Sequence, residues 1–287
     1  MNGEPPKAFN EQNSKATEMA ETSREESVTE SPCIRARGVG KTYAARSDDV
    51  EALADVDLTI HDQEFFCLLG PSGCGKSTFL RILSGLDSDY TGTVEISAAR
   101  ADGGSVTNMV FQEHGIFPWK TVLDNVAFGL KMDGVEKQRR HEKARTYLEK
   151  VDLAEFADSY PHQLSGGMKQ RVAIARAFTN DPEVLLMDEP FGVLDAQTKR
   201  NLQAELLSLW SETKKTVVYV THDIEEAITL GDRLAVMTAR PGGVKEVLDV
   251  DLPRPRTRGS IPTDEFTTLR ERVWELLSDE VQQSVER

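Results

Sequence analysis

The chain has 287 residues, 34 Lys+Arg against 48 Asp+Glu, a formal net charge of −14 and 39% hydrophobic residues. That is enough apolar material for one large domain or two small ones. The charge argues against a nucleic-acid binder, which needs a basic face for counterion release. No stretch approaches the roughly 20 apolar residues that span a bilayer.

The first thirty residues set seven Glu against Lys7, Lys15 and Arg24 and have neither the basic start nor the apolar centre of a signal peptide. Residues 1–31 are therefore expected to be a solvated, disordered acidic tail. An odd count of three cysteines does not make a disulfide framework and suits a reducing cytoplasm.

Order is expected from about Cys33. Three strands are predicted, near Ile34 to Val39, Glu51 to Leu58 and Glu64 to Leu69, the last running into a glycine-rich turn. Ser77 to Leu86 has helical character, Gly92 to Ile96 and Thr107 to Phe111 read as strands, and Thr121 to Val151 is mostly helical with a break at Gly134. From Val184 strands and helices alternate: strand Val184 to Met187, helix Ala196 to Thr213, strand Thr216 to Val220, helix Asp223 to Leu230, strand Leu234 to Thr238. Such alternation implies a parallel sheet with crossover helices. After Leu252-Pro253-Arg254-Pro255-Arg256, the spacing of Phe266, Leu269, Val273, Leu276 and Leu277 predicts an amphipathic helix.

Gly70-Pro71-Ser72-Gly73-Cys74-Gly75-Lys76-Ser77-Thr78 fits the phosphate-binding loop, glycine, four residues, then Gly-Lys-Ser, and lies between a predicted strand and a predicted helix. Glycines let backbone amides turn toward phosphate oxygens, Lys76 can reach the β- and γ-phosphates, and the Ser77 hydroxyl can ligate Mg²⁺. Val184-Leu185-Leu186-Met187-Asp188-Glu189 is an apolar strand ending in two carboxylates, at the sheet edge where ligands bind. Asp188 is the candidate to hold Mg²⁺, and Glu189 the candidate general base for an attacking water. Leu164-Ser165-Gly166-Gly167 precedes an Ala/Val-rich helix and offers a second amide-rich helix start, although a serine there is by itself an ordinary N-cap. Cys74, near a helix start, is either a stabilised and accessible thiolate or a side chain turned harmlessly away.

Together these runs resemble the ATP-binding subunit of ABC transporters over about residues 33 to 250, the Leu-Ser-Gly-Gly run being that family's signature. The resemblance implies an α/β fold, a P-loop NTPase (RecA-like) core carrying an antiparallel β subdomain and an α-helical signature subdomain near 113–183. The ATPase domain would span 32–250, with 251–287 a prolyl connector and helix. It further implies that Tyr43 stacks on adenine, Gln112 contacts Mg²⁺ and the attacking water, Asp195 lies in the loop facing the partner subunit, and His222 contacts the γ-phosphate. The implied active form is a head-to-tail homodimer in which Lys76 of one subunit and Ser165, Gly166 and Gly167 of the other enclose each ATP. Two transmembrane permease subunits and, indirectly, a solute-binding protein complete the implied assembly at the cytoplasmic face of the membrane.

Met168 stands where many members have Gln, and Val193 where Ala is usual. Phe117-Pro118-Trp119 with Val122, Asn125 and Val126 resembles the importer segment near the permease-docking groove, although both aromatics could instead be core. Met168, Ala239-Arg240-Pro241-Gly242 and the prolyl connector resemble the nitrate, aliphatic sulfonate and taurine importers. Import of a small anionic solute is therefore the expected role; an exporter, a lipoprotein-release complex or a soluble non-transport ABC ATPase is the alternative. Within this frame the acidic excess, with 14 Lys against 20 Arg, suits a saline cytoplasm.

Overall fold

Strands that are apolar almost throughout are covered on both faces, and three such runs form the centre of the molecule. In the computed structural model, which describes residues 32–44, 48–97, 105–112, 115–256 and 263–285, these are β3 (Phe65–Leu69), β6 (Val184–Asp188) and β7 (Thr216–Thr221), buried from end to end. The other strands are β1 (Pro32–Tyr43), β2 (Val50–His61), β4 (Thr91–Ile96), β5 (Thr107–Val110), β8 (Arg233–Met237) and β9 (Val244–Asp249). The expected tail 1–31 lies outside the described residues.

A six-stranded sheet has the order β5-β6-β7-β3-β8-β9, parallel except for β9, which pairs antiparallel with β8. Leu69 is in register with Thr221, and Asp188 with Val220. The residues that follow β3, β6 and β7 thus emerge along one edge, the carboxyl edge of the sheet. A second, antiparallel sheet has the order β2-β1-β4, with β1 bulged near Gly38, whose φ of 58° is left-handed.

Eight helices are described: α1 (Lys76–Leu83), α2 (Val122–Val126), α3 (Phe128–Met132), α4 (Lys137–Lys150), α5 (Gly166–Thr179), α6 (Ala196–Thr213), α7 (Ile224–Leu230) and α8 (Thr263–Val285). Four of them, α2 to α5, fall between β5 and β6. The α/β class read from the alternation is the observed one, α6 joining β6 to β7, α7 joining β7 to β8, and α2 to α5 joining β5 to β6. The strand β9 is additional to the sequence reading.

Side-chain alternation along β3 divides the interior in two. Phe65, Cys67 and Leu69 face a core shared with Met187, Tyr219, Trp210 and, from α8, Val273 and Leu276. Phe66 and Leu68 face the other, made with Phe79 and Leu80 of α1 and with Ile34, Leu53 and Val56 of the antiparallel sheet. At about 1.5–3 kcal/mol for each fully buried Phe or Leu, the second core fixes the antiparallel sheet against α1, beside the glycine-rich turn. The prolyl connector is held by arginines. Arg254 donates to Asp232 Oδ1 at 2.7 Å and Leu230 O at 2.6 Å, while buried Arg256 donates to Ile228 O and Val250 O, and burial pulls its pKa down to about 10.

Candidate nucleotide site

The loop Gly70–Thr78 leaves β3 and enters α1 with Gly73 at φ 77° and Gly75 at φ 101°. Both values lie in the left-handed region, where a side chain costs roughly 1–2 kcal/mol. At Gly75 a Cβ would also approach Ala52 O and Leu53 Cδ2 at 2.6 Å, so the antiparallel sheet itself demands glycine there. Lys76 is curled across the loop, its Nζ donating to Gly70 O at 2.8 Å and Pro71 O at 3.0 Å. The loop carbonyls thereby satisfy the buried Lys76 ammonium.

Cys74 settles the alternative left by the sequence. Its side chain is 1% exposed and packs under the loop, and burial raises its thiol pKa despite the neighbouring Lys76 ammonium. Here desolvation outweighs the nearby charge, so the accessible thiolate is not present. Gly70 and Cys74 are buried and Pro71 is half-buried, whereas Ser72, Gly73 and Gly75 line a cavity.

Ser77 Oγ donates to Asp188 Oδ1 at 2.9 Å, joining the start of α1 to the end of β6. Burial pushes the Asp188 carboxyl up, the adjacent Glu189 adds to that, and the serine bond opposes it. Glu189 has a φ of 43°, uncommon for a residue with a side chain and a form of local strain found at functional positions. Its N–H donates to Val220 O at 3.0 Å, and its Oε2 lies 2.8 Å from His222 Nδ1. A Cβ built on Gly192 would lie 3.6 Å from Glu189 Oε2 and 3.7 Å from Gln112 Nε2, which places both side chains around the same small residue.

A cavity of about 370 Å³ runs between these groups. Lys76, Ser77, Thr78, Gln112 and Glu189 line it together with Tyr43, Val50 and Ala52. The Tyr43 hydroxyl is 3.3 Å from Asp87 Oδ2 and 3.5 Å from Thr78 Oγ1, and Lys41 Nζ sits 4.9 Å over its ring. Buried Lys41, paired with Asp87 at 2.9 Å, was not singled out from sequence, and Arg240, which also lines the cavity, was named only within the Ala239–Gly242 run and not as a site residue.

The signature residues lie elsewhere. Ser165 caps α5, its Oγ accepting from Met168 N at 3.3 Å, and it is exposed together with Gly166. At Gly167 a Cβ would meet Thr198 Cγ2 at 2.8 Å, so glycine lets α5 approach α6. Asp195 caps α6, accepting from Gln197 N and Thr198 N at 3.1 and 3.0 Å; the Thr198 amide bond is the main reason its carboxyl sits below the ordinary range. None of these residues lines the cavity of their own chain.

Trp119 is 71% exposed, and Phe117 is half-buried with its ring 4.5 Å from Phe128. Neither is a fully buried core residue. Buried Asn125 shapes their loop, accepting from Phe117 N at 2.7 Å and donating to Phe117 O, Lys120 O and Thr121 O.

A family profile described as ABC transporter matches residues 53–192, from β2 through the loop and the two carboxylates. An uncharacterised ABC transporter ATP-binding protein of Methanocaldococcus jannaschii is 47% identical over 253 residues, covering 88% of this chain and 94% of that protein. The chain belongs to the ABC transporter ATP-binding family. As an ABC ATPase it binds and hydrolyses ATP.

Other relatives of this ABC ATPase carry import names. The aliphatic sulfonates import ATP-binding protein SsuB of Bacillus licheniformis is 46% identical, over 81% of this chain and 89% of that one. The nitrate import ATP-binding protein NrtD of a Synechocystis strain is 44% identical, over 75% and 81%. Among solved structures, a dimeric ATP-binding cassette in a post-hydrolysis state bound to ADP and Pi superimposes with a TM-score of 0.67 at 35% identity, covering 76% of this chain and 98% of that one. Among the described residues, no helix is long and apolar enough to cross a membrane.

Proposed function

We propose that this ABC ATPase energises import of a small anionic solute, of the nitrate, sulfonate or taurine kind, by working as a homodimer on two transmembrane permease subunits fed by a solute-binding protein. The observation that carries the catalytic part is the single cavity in which the phosphate loop, Gln112 and the Glu189 side chain meet. The import names of relatives above 40% identity support the transport part.

In this reading the adenine stacks on Tyr43, and the phosphates lie on the amides of Ser72 to Thr78. Lys76 leaves the Gly70 and Pro71 carbonyls to neutralise the β- and γ-phosphates. Ser77 Oγ and Asp188 Oδ1, 2.9 Å apart, are hard oxygen donors of the kind Mg²⁺ takes alongside phosphate, and Gln112 stands at the same cavity. Bound there, Mg²⁺ would withdraw charge from the phosphate oxygens. Glu189 accepts the proton of the attacking water, Gln112 orients that water, and His222 holds the Glu189 carboxylate and the γ-phosphate end.

Exposed Ser165 and Gly166, with half-buried Gly167, close the partner subunit's nucleotide from across the dimer, and Asp195 shapes the loop at that boundary. Closure on ATP and reopening after hydrolysis would drive the permeases between their two facing states. Residues 32–250 form the ATPase domain in this reading, with about 113–183 as its helical part, near whose exposed Trp119 a permease helix docks. Residues 251–287 form an appended connector and helix. The whole assembly sits on the cytoplasmic face of the membrane.

The test is turnover in the reconstituted complex with its permeases and binding protein. ATPase activity should rise several-fold with one anion among nitrate, taurine and simple alkane sulfonates. Turnover indifferent to all of them contradicts the import assignment and leaves ATP hydrolysis standing.

A further inference from the structure

The turn after β8, Ala239-Arg240-Pro241-Gly242-Gly243, is built directly against the phosphate loop. Gly242 N donates to Ala52 O at 3.0 Å, and Ala54 N donates to Gly242 O at 2.9 Å. Thr238 Oγ1 donates to Pro241 O at 3.1 Å and accepts from Gly243 N at 2.8 Å. Ala239 N donates to Glu280 Oε2 of α8 at 2.8 Å. A Cβ on Gly242 would collide with the Cys74 carbonyl oxygen. The turn is therefore tied to β2 and α8 and pressed on the loop backbone.

From this fixed base Arg240 extends along the loop. Its Nε and Nη2 are each 3.4 Å from Gly73 O, at the long limit of an N–H···O bond, and its side chain is exposed to the nucleotide cavity. The neutral carbonyl is thus a weak acceptor for two of its five N–H donors, and a phosphate would be a much stronger one. Tyr43 meets the loop at Thr78, in the first turn of α1, and Arg240 meets it at Gly73, nearer the start of the loop. A nucleotide whose base stacks on Tyr43 and whose phosphates run back along the loop from Thr78 would bring its terminal phosphate toward Arg240.

We propose that Arg240 is a nucleotide-binding residue that reads the terminal phosphate, exchanging Gly73 O for γ-phosphate oxygens and so favouring ATP over ADP. This rests on the reading of the cavity as the ATP site. Lys76 would then act from inside the loop and Arg240 from its outer rim, on two sides of one anion. An arginine that only braces the loop would instead matter equally to every nucleotide.

Equilibrium binding of AMP-PNP and ADP to the full chain, with Mg²⁺, separates these roles for wild type, Arg240→Gln, Arg240→Lys and Lys76→Ala, with Tm measured alongside. Arg240→Gln should lose about tenfold in AMP-PNP affinity and less than about threefold in ADP affinity, and Arg240→Lys should recover part of the loss. Unchanged AMP-PNP affinity overturns the proposal, as does an equal loss for both nucleotides with a lowered Tm, which would mark a brace. Lys76→Ala tests the underlying site: wild-type binding in that variant would overturn the cavity reading itself, whereas its loss beside an indifferent Arg240→Gln removes only the role given to Arg240.

Discussion

His222 Nδ1 lies 2.8 Å from Glu189 Oε2, joining the residue after β7 to the residue after β6 across the carboxyl edge of the sheet. A carboxylate that is ionised only accepts, and this contact then needs the ring proton on Nδ1. The Glu189 backbone is already fixed by its left-handed φ and its bond to Val220 O. His222 adds the remaining restraint, on the side chain that is proposed to take the proton from water.

Replacing His222 by Ala should lower ATP hydrolysis by about 100-fold, the lower end of what a positioned base supplies, while ATP affinity stays within about threefold. Steady-state ATPase rates and nucleotide titration check this. A wild-type rate would remove the positioning role.

Asp188 gives a stability prediction opposite in sign to its effect on activity. Its carboxyl is raised chiefly by burial, so the folded state holds the proton more tightly than the unfolded chain does. That contribution favours the fold at low pH and is lost as pH rises through the raised folded value. Asp188→Asn keeps an acceptor for Ser77 and has no charge to bury. It should raise the Tm of nucleotide-free protein by about 2 °C at neutral pH, the gap closing as pH falls through that value, and should lose hydrolysis. Thermal melts across pH read this out; a gap that widens toward acid contradicts it.

Behind the site, Tyr219 OH donates to Glu226 Oε1 at 2.9 Å, and Glu226 also receives Gln203 Nε2 at 2.9 Å, the Thr221 hydroxyl and Lys199 Nζ. This buried cluster ties α7, which begins just after His222, to β7 and α6. Because Glu226 keeps its other partners, Tyr219→Phe should cost about 1–2 kcal/mol rather than the full penalty of an isolated charge. Urea unfolding measures it, and an unchanged midpoint would show that the hydroxyl contributes nothing.

All three thiols are buried, and burial is the leading cause raising each of them. Native protein should take up less than about 0.2 maleimide per chain in minutes at neutral pH, against all three after denaturation. Rapid native labelling of Cys74 would show that the phosphate loop opens far more than its packing allows.

The parts of the site legible in the sequence are those whose chemistry is local in the chain. Gly70 to Thr78 and Asp188-Glu189 each follow an apolar strand at once, and the same runs, buried on both faces, give the parallel sheet. Val244–Asp249 escaped because its residues are mostly half-buried and follow neither a strict alternation nor a continuous apolar run. Arg240 escaped as a cavity residue because its contact, Gly73, is 167 positions away in sequence and is reached only when β8 lies beside β3. The Cys74 thiol could not be decided from a helix-start rule, since the glycines that open the loop also turn that side chain inward. Trp119 and Phe117 left core and surface both open, and the outcome depends on Asn125, whose bonds to the loop backbone have no signature in hydropathy.

Glu189→Gln tests the central claim most directly, because it removes the base and keeps the size and the His222 contact. Single-turnover hydrolysis of ATP, measured beside equilibrium ATP binding on the same full-length preparation, should fall by at least about 100-fold with binding within about threefold of wild type. Hydrolysis at the wild-type rate would contradict the assignment of Glu189, and with it the account of this cavity as the place where ATP is cleaved.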